Sequence, residues 1–150
     1  MMDDLRELYQ EVILDHGRNP RNCRHPDDHS HAAEGDNPMC GDRLSVYLKI
    51  DDDGTIRDVA FEGRGCAISI ASASIMTEML PGLKEADARH LFDCFHQLVT
   101  GQEINGDAGD LDKLVVMSGV RNFPVRIKCA TLAWHAMTAA MDGRSTATTE

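Results

Sequence analysis

The segment Cys40-Gly41-Asp42, together with two cysteines far away in the sequence, Cys66 and Cys129, is the feature that most constrains the fold. Three thiols and one carboxylate can close a tetrahedral site around a borderline-soft metal, with sulfur at about 2.3 Å and oxygen at about 2.0–2.2 Å. The Cys-x-Asp spacing puts two ligands on one tight turn, whereas Cys66 and Cys129 have to be brought in by folding. A metal bound there would hold separate segments of the chain together.

The remaining cysteines and a group of histidines are interpreted as lying outside this site. Cys23 lies in a polar loop without a companion, and Cys94 lies beside the apolar stripe of a predicted helix, where free cysteines usually act as small buried hydrophobes. The spacing of His25, His29 and His31 matches no ligand pattern, so we expect these histidines to be surface residues.

Cysteine usage and the first residues of the sequence bear on the compartment. The chain has five cysteines, an odd number, and it begins Met1-Met2-Asp3-Asp4 rather than with a basic segment followed by an apolar one. We therefore expect a cytoplasmic protein, in which a disulfide framework is not favoured. Metal or thiol chemistry is the better interpretation of the cysteines.

Length and charge limit the classes of function. With 150 residues, 42% of them hydrophobic, the chain can build one continuous core, so we predict a single domain over residues 1–150 with a disordered tail at about 144–150. The formal net charge of -10 argues against nucleic-acid binding, which needs a concentrated basic surface. No apolar run is long enough to span a bilayer, so no membrane partner is expected.

The hydrophobic pattern predicts an α+β domain: an N-terminal helix, a small antiparallel sheet of about three strands, and a helical C-terminal half packed on one sheet face. Period-two alternation over 43–50 and a turn at 52–55 predict a hairpin. In its second strand, the pattern places Ile56, Asp58 and Ala60 on one side and Arg57, Val59 and Phe61 on the other. The expected elements, in order, are a helix over 3–16, a short strand near 31–34, strands over 43–50 and 56–61, a helix from 67 to before Pro81, a helix over 85–99, helical turns over 111–117, and a last helix opened by Phe123-Pro124.

Two of the cysteines are predicted to lie on helices. Cys66 follows Gly63-Arg64-Gly65 and heads an apolar helix, where free amide donors and the positive end of the helix dipole should lower the pKa of its thiol. Cys129 starts an inward-facing stripe on the last helix, from which Trp134 is expected to be absent. These positions make the Cys66 thiolate available at neutral pH and direct Cys129 toward the core.

The sequence stretches around these cysteines resemble those of a known family. The stretches are 8–16 (LYQEVILDH), 19–22 (NPRN), 36–42 (DNPMCGD), 61–74 (FEGRGCAISIASAS) and 126–134 (RIKCATLAW). Together they are similar to the SufU-type iron-sulfur assembly proteins over nearly the whole chain. The related IscU scaffolds usually carry a histidine before the last cysteine, where this chain has Lys128, and a shorter connection than residues 101–122. In the family, a small residue is common directly before the first of these cysteines, whereas this chain has Met39 before Cys40.

The resemblance implies a zinc ion ligated by Cys40, Asp42, Cys66 and Cys129, and a role as zinc-dependent sulfurtransferase that accepts persulfide sulfur from a SufS-type cysteine desulfurase. In the mechanism proposed for the family, a desulfurase histidine replaces one cysteine on zinc and the freed thiol attacks the enzyme persulfide. Carried over, Cys40 is the sulfur acceptor, and a downstream Suf scaffold or a thiol reductant receives the sulfur. Arg126, one turn before Cys129, is a candidate for positioning Asp42 or the incoming persulfide.

Two alternatives remain open. A scaffold could assemble an iron-sulfur cluster on the same ligands, because thiolates bind iron as well as zinc. A purely structural zinc site is the third reading, although closed structural sites are usually built from Cys and His rather than Asp.

Overall fold

The order of helices and strands confirms the predicted α+β class, with one strand more than expected. A computed structural model of the protein describes residues 2–38, 40–103 and 111–148. The elements are α1 (Met2–Arg18), β1 (His31–Asn37), β2 (Asp42–Ile50), β3 (Ile56–Arg64), α2 (Ala67–Met79), α3 (Glu85–Val99), a 3₁₀ helix (Leu111–Asn122), α4 (Pro124–Met141) and β4 (Thr146–Thr148). In this part of the chain, no helix combines the length and the apolar character needed to cross a bilayer.

The additional strand comes from the C-terminal tail. The sheet order is β3-β2-β1-β4, in which β1, β2 and β3 are antiparallel and β4 runs parallel to β1. Where disorder was expected, Thr146–Thr148 pair with Glu34–Asp36, and the Glu34 amide donates to the Ser145 carbonyl at 2.9 Å. Residues 146–148 thereby satisfy backbone groups that β1 would otherwise leave unpaired at a sheet edge.

The inner face of the sheet deviates from simple alternation in β3. Ile56 is fully buried together with Val59 and Phe61, although the pattern places Ile56 on the opposite side. A register shift lies between Lys49 and Ile50, in the partner strand β2. This irregularity changes which side chains of the hairpin face the core, as bulges do. Ile56 therefore reaches the core together with Val59 and Phe61.

Helix α4 is the centre of the helical layer. It packs on β1, β2, α2, α3 and the 3₁₀ helix, and its residues are buried on several sides. The prediction of one stripe without Trp134 is therefore wrong: Trp134 is fully buried between Phe92 and Phe95, and its indole Nε1 donates to Ser72 Oγ at 3.1 Å. A helix covered on several sides shows no one-sided periodicity.

The C-terminal end of α1 is attached to α2 through a half-buried histidine. His16 Nδ1 lies 2.7 Å from Ser74 Oγ, which also accepts a hydrogen bond from the Arg21 amide at 2.8 Å. Burial, and next the charge of Arg21, lower the pKa of His16, whereas Glu78 and Asp15 act in the opposite direction. The fold therefore favours neutral His16.

We predict that acidification weakens this attachment. Because the pKa of His16 is lower in the folded state, the stability that this attachment contributes is fully present above the unfolded-state pKa of about 6.5. This stability is lost as the pH falls through the lower folded-state pKa. The free energy of unfolding, measured with urea between about pH 7.5 and pH 5, should fall more steeply for the native protein than for His16→Asn. His31→Asn, at the start of β1, is the control and should keep the native slope. Equal slopes for the native protein and His16→Asn would contradict the prediction.

Candidate metal centre

Two candidate ligands lie on the hairpin that joins β1 to β2. Asn37 and Asp42 form the last pair of this hairpin, and both side chains are fully buried on the inner face of the sheet. Cys40 lies at the tip, exposed, with its amide donating to the Asn37 carbonyl at 3.2 Å. Gly41 has a φ of +70°, a conformation that other residues adopt only at a cost. The tight turn predicted for Cys40-Gly41-Asp42 is thus confirmed.

The other two candidate ligands come from helices. Cys66 is the N-cap of α2: its thiol accepts a hydrogen bond from the Ser69 amide at 3.5 Å, and its own amide donates to Asp42 Oδ1 at 2.9 Å. Cys129 lies in the second turn of α4 and is only 2% exposed. The prediction that Cys66 heads a helix and Cys129 faces inward is confirmed.

Glycines before Cys66 allow its backbone to approach Asp42. Gly63 has a φ of +138°, and a Cβ there would collide with the Arg43 carbonyl oxygen. A Cβ at Gly65 would collide with Ser69 Oγ and would lie 2.9 Å from Asp42 Oδ1. Both positions therefore require glycine because a side chain would not fit, and Gly63 also has a backbone conformation that favours glycine.

Three of the four predicted ligands are brought together. The Sγ atoms of Cys40 and Cys129 and a carboxylate oxygen of Asp42 all lie within 4.8 Å of one another, and the two sulfurs are 3.4 Å apart. Atoms bound at about 2.0–2.3 Å to one tetrahedral ion have similar separations. Cys66 lies outside this group of three, although its amide donates to Asp42 Oδ1 at 2.9 Å.

The thiols of Cys66 and Cys129 differ in proton affinity. The hydrogen bond with Cys129, and then the Ser69 donors, lower the pKa of Cys66 to about 6 against an opposing effect of burial. Donation to Cys66, followed by burial, raises the pKa of the Cys129 thiol above its usual range. The predicted thiolate at Cys66 is therefore favoured near neutral pH, because the lowering effects of Cys129 and of the Ser69 donors at the helix terminus act in the same direction on its pKa. A metal would have to displace the Cys129 proton.

Asn37 is a member of the site that the sequence analysis did not assign. Its Nδ2 donates to Asp42 Oδ2 at 3.3 Å and to Cys129 Sγ at 3.5 Å. Among buried side-chain atoms in the described ranges, Asn37 Oδ1 is the one without a hydrogen-bond partner. The sequence feature that could have pointed to Asn37 is its position in the stretch 36–42, five residues before Asp42. Donors of this kind orient metal ligands and tune their basicity.

The other residues considered in the sequence do not join this group. The Cζ of Arg126 lies 4.8 Å from the centre of the Phe123 ring, while Asp42 is held by Asn37 and the Cys66 amide. A role of Arg126 toward an incoming persulfide stays a prediction.

Cys94 is buried 3.6 Å from His90, Cys23 is exposed, and His25 stacks on Tyr47 at 4.2 Å. None of these cysteines or histidines belongs to a group that could hold a metal within residues 2–38, 40–103 and 111–148.

The comparisons with known proteins identify a family that covers most of the chain. The sequence profile of the NifU-like N terminal domain matches residues 8–130, which include all four candidate ligands. The chain belongs to this family. Its relatives include the zinc-dependent sulfurtransferase SufU of Bacillus subtilis (strain 168), 42% identical over 134 residues and 89% of each chain. The iron-sulfur cluster assembly scaffold protein IscU of Streptococcus pyogenes serotype M1 is 41% identical over 136 residues, covering 91% of this chain and 84% of the relative.

A solved structure extends the family match to the fold. The crystal structure of a putative iron-sulfur cluster assembly scaffold protein for the SUF system from Fervidobacterium islandicum AW-1 superposes with a TM-score of 0.81 at 31% identity, covering 87% of this chain and 94% of that one. The resemblance to SufU and IscU proteins is therefore confirmed. The identities to a named sulfurtransferase and a named scaffold are almost equal, so identity alone does not choose between the two activities.

We predict that Asn37→Ala lowers the affinity of the protein for zinc by about 10- to 100-fold, the usual cost of losing a donor behind the ligands. The affinity is measured by competition with a chromophoric chelator. Asn122→Ala, which removes an exposed amide away from the ligand atoms, is the matched control and should bind zinc as the native protein does. Native affinity in folded Asn37→Ala would show that these hydrogen bonds do not support the site.

Proposed function

We propose that the protein is a zinc-dependent sulfurtransferase, in which Cys40 accepts the persulfide sulfur of a SufS-type cysteine desulfurase. The observation that carries the proposal is the unequal exposure of the clustered ligand atoms. Cys40 is exposed at a hairpin tip, whereas Asp42 is fully buried and Cys129 is 2% exposed. A partner can therefore reach Cys40 while the other two stay in place. The SufU relative, named a zinc-dependent sulfurtransferase, supports the same activity.

The donor atoms fit a zinc ion held by Cys40, Asp42, Cys66 and Cys129. Sulfur with one carboxylate oxygen suits a borderline-soft ion, and the cluster of three has separations close to those of tetrahedral ligands. Support for Cys66 as the fourth ligand comes from its amide, which donates to Asp42 Oδ1 at 2.9 Å. When bound, zinc keeps thiolates deprotonated without adding redox chemistry of its own.

The transfer itself is thiolate exchange at sulfur. The Cys40 thiolate attacks the outer sulfur of the desulfurase persulfide, a new S–S bond forms at Cys40 Sγ, and the persulfide S–S bond breaks. The desulfurase cysteine leaves as a thiolate, and the proton stays on the transferred sulfur. Asn37 and the Cys66 amide keep Asp42 oriented during this exchange, because both hydrogen bonds are independent of Cys40.

The product requires a second exchange. A persulfide on Cys40 remains at the exposed hairpin tip, where a thiol reductant or a downstream Suf scaffold can attack it by the same chemistry. The protein would then return to its starting state with no net change in its own oxidation level.

Cys40→Ala should abolish both the transfer of labelled sulfur from cysteine and the stimulation of the desulfurase, because the nucleophile is missing. Sulfur on the protein is followed by mass spectrometry, and desulfurase turnover by alanine formation. Cys23→Ala removes another exposed thiol that lies outside the ligand group and should behave like the native protein. Normal stimulation by Cys40→Ala would overturn the proposal.

Cluster scaffolding on the same ligands is the second candidate, favoured by the IscU relative that is named a scaffold. Anaerobic reconstitution with iron and sulfide, followed by visible absorption, separates the two. Under the sulfur-transfer proposal, zinc-loaded protein forms no cluster unless zinc is first removed. A cluster that forms on zinc-loaded protein and passes to an apoprotein would establish scaffolding instead. A purely structural zinc site predicts unfolding on metal removal and no response of the desulfurase.

A further inference from the structure

One buried amide connects two candidate ligands that come from different elements. Asn37 Nδ2 donates to Asp42 Oδ2 on β2 at 3.3 Å and to Cys129 Sγ on α4 at 3.5 Å. A primary amide carries two N–H donors in one plane, so each of the two ligands takes one of them. The amide therefore bridges the Asp42 carboxylate and the Cys129 sulfur and holds them at a set separation.

The backbone of Asn37 is held on both sides. Asn37 pairs with Asp42 in the β1–β2 ladder, and its carbonyl accepts from the Cys40 amide at 3.2 Å. The strand β4 pairs with the three residues before it, 34–36. Because Asn37 is also fully buried, its amide has a fixed place from which it holds the two ligands.

The other end of this amide is a buried oxygen. Asn37 Oδ1 accepts no hydrogen bond from a described residue, which costs free energy in a buried position. Reversing the amide would place this oxygen against the Asp42 carboxylate, so the contacts with the ligands determine its orientation. An apolar side chain would fill the space without that cost. The two donors toward Asp42 and Cys129 are therefore what the asparagine supplies.

A single ion and a sulfide-bridged cluster place different demands on these ligands. One tetrahedral ion needs donor atoms that lie close together, as those of Cys40, Asp42 and Cys129 do, all within 4.8 Å of one another. A two-iron cluster divides its ligands between two irons with sulfide between them, so ligands on different irons must lie farther apart. The Asn37 bridge leaves only those divisions in which Asp42 and Cys129 share an iron. Its Oδ1, an acceptor, offers no hydrogen bond to sulfide.

We infer that Asn37 is a specificity residue of the metal centre, which favours one tetrahedral ion over a sulfide-bridged two-iron cluster on the same ligands. The inference rests on the proposed zinc-dependent function and adds the residue that disfavours the alternative cluster. Asn37 is a positioning residue, because it acts through Asp42 and Cys129. Its effect is on the choice of the bound group, in addition to the gain in affinity expected of a donor behind the ligands.

The experiment measures how much zinc displaces a cluster. Native protein and Asn37→Ala are freed of zinc, reconstituted anaerobically with iron and sulfide, and desalted to remove unbound iron and sulfide. Each is then titrated with zinc buffered by a chelator, and the loss of the visible absorption of the cluster is followed. Thr131→Ala is the matched control, because the buried Thr131 hydroxyl lies two residues after Cys129 but donates to α4 carbonyls instead of a ligand atom.

The free zinc concentration that removes half of the cluster should be at least about 10-fold higher for Asn37→Ala than for the native protein. Thr131→Ala should match the native protein. An equal concentration for folded Asn37→Ala and the native protein would overturn the inference, because zinc and cluster would then have weakened together, as a merely structural role predicts. Failure of zinc-free Asn37→Ala to build a cluster would overturn it as well.

A second variant and a second metal complete the test. Asn37→Ser keeps one donor, which serves only one ligand, so it should shift the zinc concentration in the same direction and replaces Asn37→Ala if that variant does not fold. Cobalt(II), followed by its visible d–d absorption, binds as a single ion. Asn37→Ala should therefore lower the affinities for cobalt and zinc by a similar factor. A changed ratio of these two affinities would contradict a choice between one ion and a cluster.

None of these measurements uses a desulfurase. A native protein that does not stimulate the desulfurase would refute the proposed function, whereas the zinc titration of the cluster decides the role of Asn37. The two failures are therefore distinguishable.

Discussion

The buried carboxylate of Asp42 is the interaction on which the site depends. One oxygen accepts from the Cys66 amide and the other from Asn37 Nδ2, so a single side chain joins the β1–β2 hairpin to the start of α2. Asn37 extends the connection to Cys129 on α4. A fully buried carboxylate is costly unless it is compensated, and Asp42 has no ion pair with a described residue. A bound cation would add charge compensation to these two hydrogen bonds.

This geometry divides the candidate ligands into fixed and releasable members. Asp42 and Cys129 are held by burial and hydrogen bonds from the surrounding fold, and Cys66, although exposed like Cys40, is held by hydrogen bonds at the N-terminus of α2. Cys40 is attached through a turn whose conformation depends on Gly41. A site with one releasable ligand suits transfer chemistry better than a closed structural site, in which all ligands are equally enclosed.

The sequence predicts much of this arrangement, and the reasons for the exceptions are physical. The strand over 43–50 and the helix over 85–99 were predictable because each depends on a local hydrophobic pattern. In the structure, they are β2 (Asp42–Ile50) and α3 (Glu85–Val99). Trp134 and Ile56 were misplaced because burial on several sides and a bulge follow from tertiary packing, which local periodicity does not encode. The role of Asn37 depends on a partner 92 residues away, Cys129. The flexible acidic segment expected within 101–110 lies largely outside the described residues, which resume at position 111.

The C-terminal strand β4 has a consequence for the design of altered proteins. It pairs with residues 34–36, immediately before Asn37, so the last described residues of the chain support the strand that carries part of the site. Substituting proline within 146–148 would remove backbone donors from that edge and loosen β1 at the end next to the hairpin. A change made more than a hundred residues after Cys40 in the sequence would thereby reach the candidate metal ligands of the hairpin through the backbone.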